Sequence, residues 1–164
     1  MICVLMGVSG SGKSTIGQLL AERLGWPFYD GDDFHPIANI EKMRRGIPLT
    51  DADRLPWLNA LRKKMRQIDR DAIFACSSLK SGYREYLREG VADIVWIYLK
   101  GDYSLLRERM RGREGHFMKA EMLRSQLETL EEPTDALILE IDRSPEEIVG
   151  AIVDFLEKRD REPR

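Results

Sequence analysis

The segment Gly7-Val8-Ser9-Gly10-Ser11-Gly12-Lys13-Ser14 follows the apolar run Ile2 to Met6 and opens the amphipathic stretch Lys13 to Leu24. Its spacing is that of a phosphate-binding loop, G-x-x-x-x-G-K-[ST], set between a strand and a helix. No other segment constrains the fold as much, because a strand that feeds a helix begins the crossover by which parallel strands are joined. Glycines let the chain take left-handed turns that aim successive N–H groups inward, and the helix N-terminus turns its positive dipole end to the same point. Phosphate is the natural occupant. Gly7, Val8, Ser9, Gly10, Ser11, Gly12, Lys13, Ser14 and the adjoining Thr15 are therefore expected to hold ATP. Lys13 is expected to reach the β- and γ-phosphates, and the Ser14 hydroxyl to coordinate a bridging Mg²⁺.

Beyond the loop, short apolar runs alternate with amphipathic stretches, the pattern of a parallel sheet covered by helices on both faces. The strands are expected at Ile2 to Met6, Pro27 to Asp30, Ala72 to Cys76, Ile94 to Leu99 and Ala136 to Ile141, most of them apolar throughout, as two-face burial requires. Helices are expected at Lys13 to Leu24, Arg54 to Ile68, Lys80 to Glu89, Tyr103 to Arg113, Lys119 to Leu130 and Pro145 to Lys158, with Pro56 and Pro145 in first turns. The whole chain, 164 residues, reads as one α/β domain with a five-stranded parallel sheet. The 26 basic and 28 acidic residues leave a net charge of −2, so nothing global favours nucleic acid or an anionic membrane. No apolar run approaches the roughly 20 residues of a membrane span, and no basic residue precedes Lys13 to form a signal peptide. Cys3 and Cys76 lie in strand-like runs and are expected to be buried and reduced, which suits the cytosol.

A phosphate-binding loop names a nucleotide and no more, so the class rests on other segments. The chain has neither an Asn-Lys-x-Asp guanine-reading segment nor a strand ending in Asp-Glu, which argues against switch GTPases and motors. Strand two instead runs into Tyr29-Asp30-Gly31-Asp32-Asp33-Phe34-His35-Pro36, placing three carboxylates at the carboxyl end of a strand, where ligands of open α/β sheets bind. One can hold metal-bound water and another can accept the proton of an attacking hydroxyl. The plainer role for Asp32 or Asp33 is a helix cap or Asx-turn. Arg107, Arg109, Arg111 and Arg113 follow strand four, and at 100° per residue Arg109 and Arg113 share a helix face that can turn to the phosphates. With Glu114-Gly115-His116-Phe117-Met118 after them, they suggest a lid over about residues 111–124; a solvated helix face is the plainer reading. His35 and His116 fall in candidate site loops but lack the companions of a zinc site. Thr50 and Asp53 fit a capping box, which leaves Arg54 unexplained. Arg54, Lys80 and Arg84 are the cations available to an anionic acceptor. Met43, Trp26, Trp57 and Trp96 are expected in the core.

Together with the loop, the segments Asp30-Gly31-Asp32-Asp33-Phe34-His35-Pro36, Asn39 with Lys42-Met43, Gly46-x-Pro48-Leu49-Thr50-Asp51-x-Asp53-Arg54-x-Pro56-Trp57-Leu58, Cys76-Ser77-x-Leu79-Lys80 with Tyr83-Arg84, and Arg113-x-Gly115-His116-Phe117-Met118 resemble the gluconokinases. These are small P-loop sugar-acid kinases related to shikimate and adenylate kinases. Ser125-Gln126 and Thr129-Leu130-Glu131-x-Pro133 extend the resemblance, and Ser78 stands where the family commonly has alanine. The resemblance implies phosphorylation of D-gluconate by ATP with Mg²⁺, a nucleoside-monophosphate-kinase-like fold with a lid, and a homodimer. It implies that Asp30 serves the metal through water beside the coordinating Ser14 and that Asp32 meets the acceptor hydroxyl as general base, Lys13 and Arg113 completing the catalytic set. Asp33, His35, Arg54, Lys80, Arg84 and His116 would line the acceptor, and Arg109 and Arg113 the ATP. Two other readings stand beside it: a related kinase for shikimate or another polyol acid, and a nucleotide-binding module without catalysis.

Overall fold

The computed structural model describes residues 1–111 and 116–161, and for 116–120 the backbone alone. Five apolar runs form one parallel sheet: β1 (Ile2–Met6), β2 (Phe28–Asp30), β3 (Ala72–Ala75), β4 (Ile94–Lys100) and β5 (Leu137–Glu140), in the order β2-β3-β1-β4-β5. The connections are α1 (Lys13–Leu24), α2 (Ile37–Arg44), α3 (Asp51–Gln67), α4 (Ser81–Arg88), α5 (Tyr103–Arg111) and α6 (His116–Thr129), and α7 (Pro145–Arg161) follows β5.

Alternation along the strands divides the core in two. Cys3, Leu5, Ile73, Val95, Ile97 and Leu99 face α1, α5 and α7 through Ile16, Leu20, Leu106, Ile148 and Ile152. Ile2, Val4, Met6, Phe74, Trp96 and Tyr98 face α3 and α4 through Trp57, Leu58, Leu61, Met65 and Leu87. Burial on both faces explains why these strands read as unbroken apolar runs. At roughly 25 cal/mol per Å² of apolar surface removed from water, the two layers are the main force holding the helices to the sheet.

Several boundaries differ from the sequence expectation. The segment between β2 and α3 holds a short 3₁₀ turn, Gly31–Phe34, and the eight-residue α2, neither anticipated. Both are too short to show a period. The capping box is present, Thr50 accepting from the Asp53 N–H and the Asp53 carboxylate from the Thr50 N–H. That cap starts α3 at Asp51, so Pro56 lies past the first turn, where its ring removes one ladder bond. Helix α6 begins at His116, so His116 to Met118, expected in a connection, have helical backbone. Trp26 is partly buried against the first layer, Trp96 is 1% exposed in the second, and Met43 is half-buried outside both.

Cys3 and Cys76 are buried and unpaired with each other. Burial pushes the Cys3 thiol up to about 12 and Cys76 up to about 11, so almost no thiolate exists at neutral pH. The native protein should react with a thiol reagent orders of magnitude more slowly than the denaturant-unfolded protein, which should titrate both thiols without reductant. Fast modification of the native form, or no thiols after unfolding, would contradict this packing.

Candidate active site

The register of the sheet assembles the site. Leu5 lies opposite Ala75, and Ala75 opposite Asp30, so the loops after β1, β2 and β3 leave the same edge side by side. The loop after β1 turns through Gly7, Gly10 and Gly12 at φ 148°, 81° and 95°. A Cβ on Gly7 would stand 2.8 Å from the Leu99 carbonyl oxygen, so this position has neither the backbone angle nor the room for a side chain. Gly12 caps α1 without a side chain, leaving the helix N-terminus open to an anion.

Lys13 is the first residue of α1. Its Nζ donates to the Gly7 and Val8 carbonyls at 2.9 and 3.1 Å, folding the ammonium over the cradle. Burial lowers its proton affinity, while the charges of Asp32 and Asp30 oppose the shift. Next to it, Ser14 Oγ donates to Asp30 Oδ2 at 3.0 Å. The other Asp30 oxygen accepts from the Asp32 N–H at 3.0 Å, so Asp30, rather than Asp32 or Asp33, caps the turn. Asp32 and Asp33 are exposed. The protein packed about the Asp32 carboxyl raises its pKa although solvent still reaches it, Asp30 adds to the rise, and Lys13 works against it. Gly31, which starts the turn, has no space for a Cβ, which would stand 2.5 Å from the Ala75 carbonyl oxygen.

On the acceptor side, His35 stacks on Trp57 with ring centroids 4.5 Å apart and planes 11° from parallel. Trp57 is 2% exposed in the core as expected, yet its indole N–H donates to the Gly31 carbonyl at 2.7 Å. It therefore carries both the core and the site. The three cations expected to meet an anion differ sharply. Lys80 pairs with Asp51 at 3.0 Å, and Tyr83 also donates to that carboxylate. This partner is 29 residues away and was not visible in the sequence. Arg84 is 6% exposed and gives its N–H groups to the Ser78, Leu79 and Glu131 carbonyls. These bonds hold the loop after β3. Arg54 donates to the Leu49 carbonyl at 2.6 Å and to the Tyr83 hydroxyl at 3.4 Å and bonds no carboxylate among the described residues.

The loop after β3 is strained. Ser78 is fully buried at φ 45°, and its hydroxyl donates to the Cys76 sulfur at 3.1 Å. A non-glycine residue there costs on the order of 1 kcal/mol. Above the cradle, α5 lies close: a Cβ on Gly10 would stand 3.2 Å from Met110 Cγ, and one on Gly12 would stand 4.0 Å from Arg109 Nη1. Arg109 also donates to the Ile141 carbonyl, which steadies its guanidinium near the loop. Arg113 lies outside the described residues, as does the side chain of His116. Gln126 of α6 was not singled out as a site residue, yet it accepts from the Ser9 N–H at 2.7 Å and donates to Ser9 Oγ at 3.0 Å. Its 117-residue separation from Ser9 hides that contact from local pattern.

The parallel sheet, the glycine cradle with Lys13, and carboxylates on the same edge define a P-loop small-molecule kinase. Comparison with protein families matches residues 9–157 to shikimate kinase. A thermoresistant gluconokinase of Escherichia coli is 46% identical over 96% of this chain and 94% of its own. The crystal structure of a gluconokinase from Sinorhizobium meliloti is 40% identical, with a TM-score of 0.84 over 96% of this chain and 95% of that one. An unliganded sugar kinase from a Janibacter species is 42% identical, with a TM-score of 0.88 over 95% and 94%. The chain belongs to the shikimate kinase family and, within it, to the gluconokinases.

Lys13→Ala should remove most turnover while shifting the thermal midpoint little, because the ammonium bonds only carbonyls of a loop that glycine geometry already shapes. Steady-state kinetics beside thermal unfolding checks this. Near wild-type turnover would remove the loop from the chemistry.

Proposed function

We propose that this kinase transfers the γ-phosphoryl group of ATP to D-gluconate, giving 6-phospho-D-gluconate and ADP. The observation that carries the reading is Arg54, a guanidinium that hydrogen-bonds no carboxylate among the described residues, set on the acceptor side of a site whose close relatives are gluconokinases. A sugar acid offers that cation the anion it lacks.

The cradle of residues 7–15 binds the phosphates, and Lys13 swings from the Gly7 and Val8 carbonyls onto the β- and γ-oxygens. Ser14 and Asp30, a hydroxyl and a carboxylate already 3.0 Å apart, are the oxygen donors that suit Mg²⁺, which takes few protein ligands and keeps its waters. When bound, Mg²⁺ would neutralise charge on the β- and γ-phosphates. Asp32 accepts a hydrogen bond from the attacking hydroxyl and aims it in line; a loose transition state needs little prior deprotonation, so direction matters more than basicity. Arg109, with Arg113 from a lid over about residues 111–124, places positive charge on the transferred group. Asp33, His35, Arg54 and His116 hold the acceptor, and Lys80 stands at its mouth still paired with Asp51. Arg84 shapes the loop after β3 beside the acceptor. A homodimer in the cytosol completes the reading; no helix among the described residues is long and apolar enough to cross a membrane.

D-gluconate should be preferred to D-glucose by at least about 10³ in kcat/KM, because glucose leaves Arg54 without its anion and each 1.36 kcal/mol is tenfold. Arg54→Ala should erase most of that preference, while Arg84→Ala should lower stability first. A coupled ADP-release assay over gluconate, glucose and shikimate reads it, and equal use of glucose and gluconate would sink the assignment.

Asp32→Asn should lower kcat by about 10² to 10⁴ with a small effect on KM for ATP, and Asp33→Asn should be milder. The reverse ranking would move the hydroxyl-orienting role to Asp33.

A further inference from the structure

Asn39 of α2 is 2% exposed. Its amide nitrogen lies 2.8 Å from the Asp53 carbonyl oxygen and 3.3 Å from Nδ1 of His35. A backbone carbonyl only accepts, so the Asn39 atom facing it is the NH₂ group. The same NH₂ has a second N–H to give, and that one faces Nδ1. His35 Nδ1 is therefore an acceptor, and the single proton of the neutral ring belongs on Nε2. Nε2 has no hydrogen-bond partner among the described residues.

The parts that fix this arrangement are themselves fixed. Asp53 belongs to the capping box of α3, and its carboxylate holds Lys42 of α2 at 2.8 Å, which ties the helix of Asn39 to the start of α3. The hydrogen bonds from Lys42 and then the Thr50 N–H keep that carboxylate ionised by lowering its pKa to about 2. Trp57 supports the ring from one face and is tied in turn to Gly31, the first residue of the turn bearing Asp32 and Asp33.

We infer that Asn39 is a positioning residue that locks His35 as the neutral Nε2–H tautomer, so that the ring gives one uncharged, directed hydrogen bond to a hydroxyl of the sugar-acid acceptor. The inference deepens the acceptor assignment above and rests on it. An uncharged donor suits a hydroxyl and leaves the acceptor's carboxylate to Arg54. The charged groups around the ring agree with neutrality. Arg54 of α3 opposes a second positive charge, Asp53 of α3 is spent on Lys42 of α2, and Asp32 and Asp33 of the turn are exposed to water. Burial first and Arg54 second push His35 down to about 4.

Imidazole nitrogen–proton correlation spectra of the unaltered protein test the tautomer without any substitution. The chain has two histidines, and His35→Gln assigns them. The expected result is the Nε2–H pattern for His35, unchanged from pH 8 to about pH 5. An Nδ1–H pattern, or an ordinary titration near 6.5, would overturn the inference. Asn39→Asp replaces the donor with an acceptor and should turn the ring to Nδ1–H with a raised pKa; an unchanged spectrum would show that Asn39 does not set the tautomer. Kinetics test the donor. A glutamine amide nitrogen falls near Nε2 and an asparagine one near Nδ1, so His35→Gln should keep kcat/KM for gluconate within about threefold. His35→Asn should lose about ten- to a hundredfold, with KM for ATP little moved in either. Equal losses would overturn the donor role. Absence of gluconate turnover in the unaltered protein would overturn the acceptor assignment and the donor role with it, and the spectrum would still decide the tautomer.

Discussion

Three segments that are far apart in the chain meet because β1, β2 and β3 are parallel and held in one register. With Leu5 level with Ala75 and Ala75 level with Asp30, the cradle, the carboxylate turn and the loop after β3 leave the sheet at a common height. A slip of one residue would turn Asp30 to the opposite face of the sheet and break the Ser14 contact. The register is secured by the two apolar layers, since a slip would also exchange the residues that pack on α1 with those that pack on α3. Catalytic geometry here is thus a by-product of burial, which supplies far more energy than any polar contact in the site.

Within that frame the cations divide their work. Buried Arg84 satisfies three carbonyls and shapes a strained loop, the half-buried Lys80 answers Asp51, and Arg54 keeps donors in reserve. A buried basic residue bonded to several carbonyls is held to the chain, whereas one anchored by a single carbonyl is oriented and still available to a substrate. The carboxylates follow the same logic. Asp30 is committed to Ser14 and to the turn, while the Asp32 carboxylate, still reached by solvent, has its proton affinity raised by the protein around it and by Asp30 and lowered by Lys13. Groups whose proton affinity is shifted by burial together with a specific charged neighbour are concentrated at functional sites.

Much of this was legible in the sequence because it is local. The cradle, the Thr50–Asp53 cap and the buried strands are each set by residues within a few positions of one another, where backbone preference and period speak directly. The Asp30 to Asp33 cluster was legible as a site but not in its division of roles, since which oxygen caps the turn depends on its exact curvature. Pairings across tens of residues were illegible: Lys80 with Asp51, Arg84 with Glu131 and Gln126 with Ser9 arise only when helices dock. Asn39 stood in plain sight within the family-like run, yet its bridging of His35 to Asp53 depends on how α2 lies against the start of α3.

The chemistry of the site comes down to one step, the passage of a phosphoryl group to a hydroxyl of a sugar acid and not to water. The most direct measurement is phosphorus and carbon NMR of the products after incubation with ATP, Mg²⁺ and D-gluconate. The account predicts one new phosphomonoester, coupled to C6 of gluconate and equal in amount to the ADP formed. Inorganic phosphate in place of the ester, or an ester on another carbon, would contradict it.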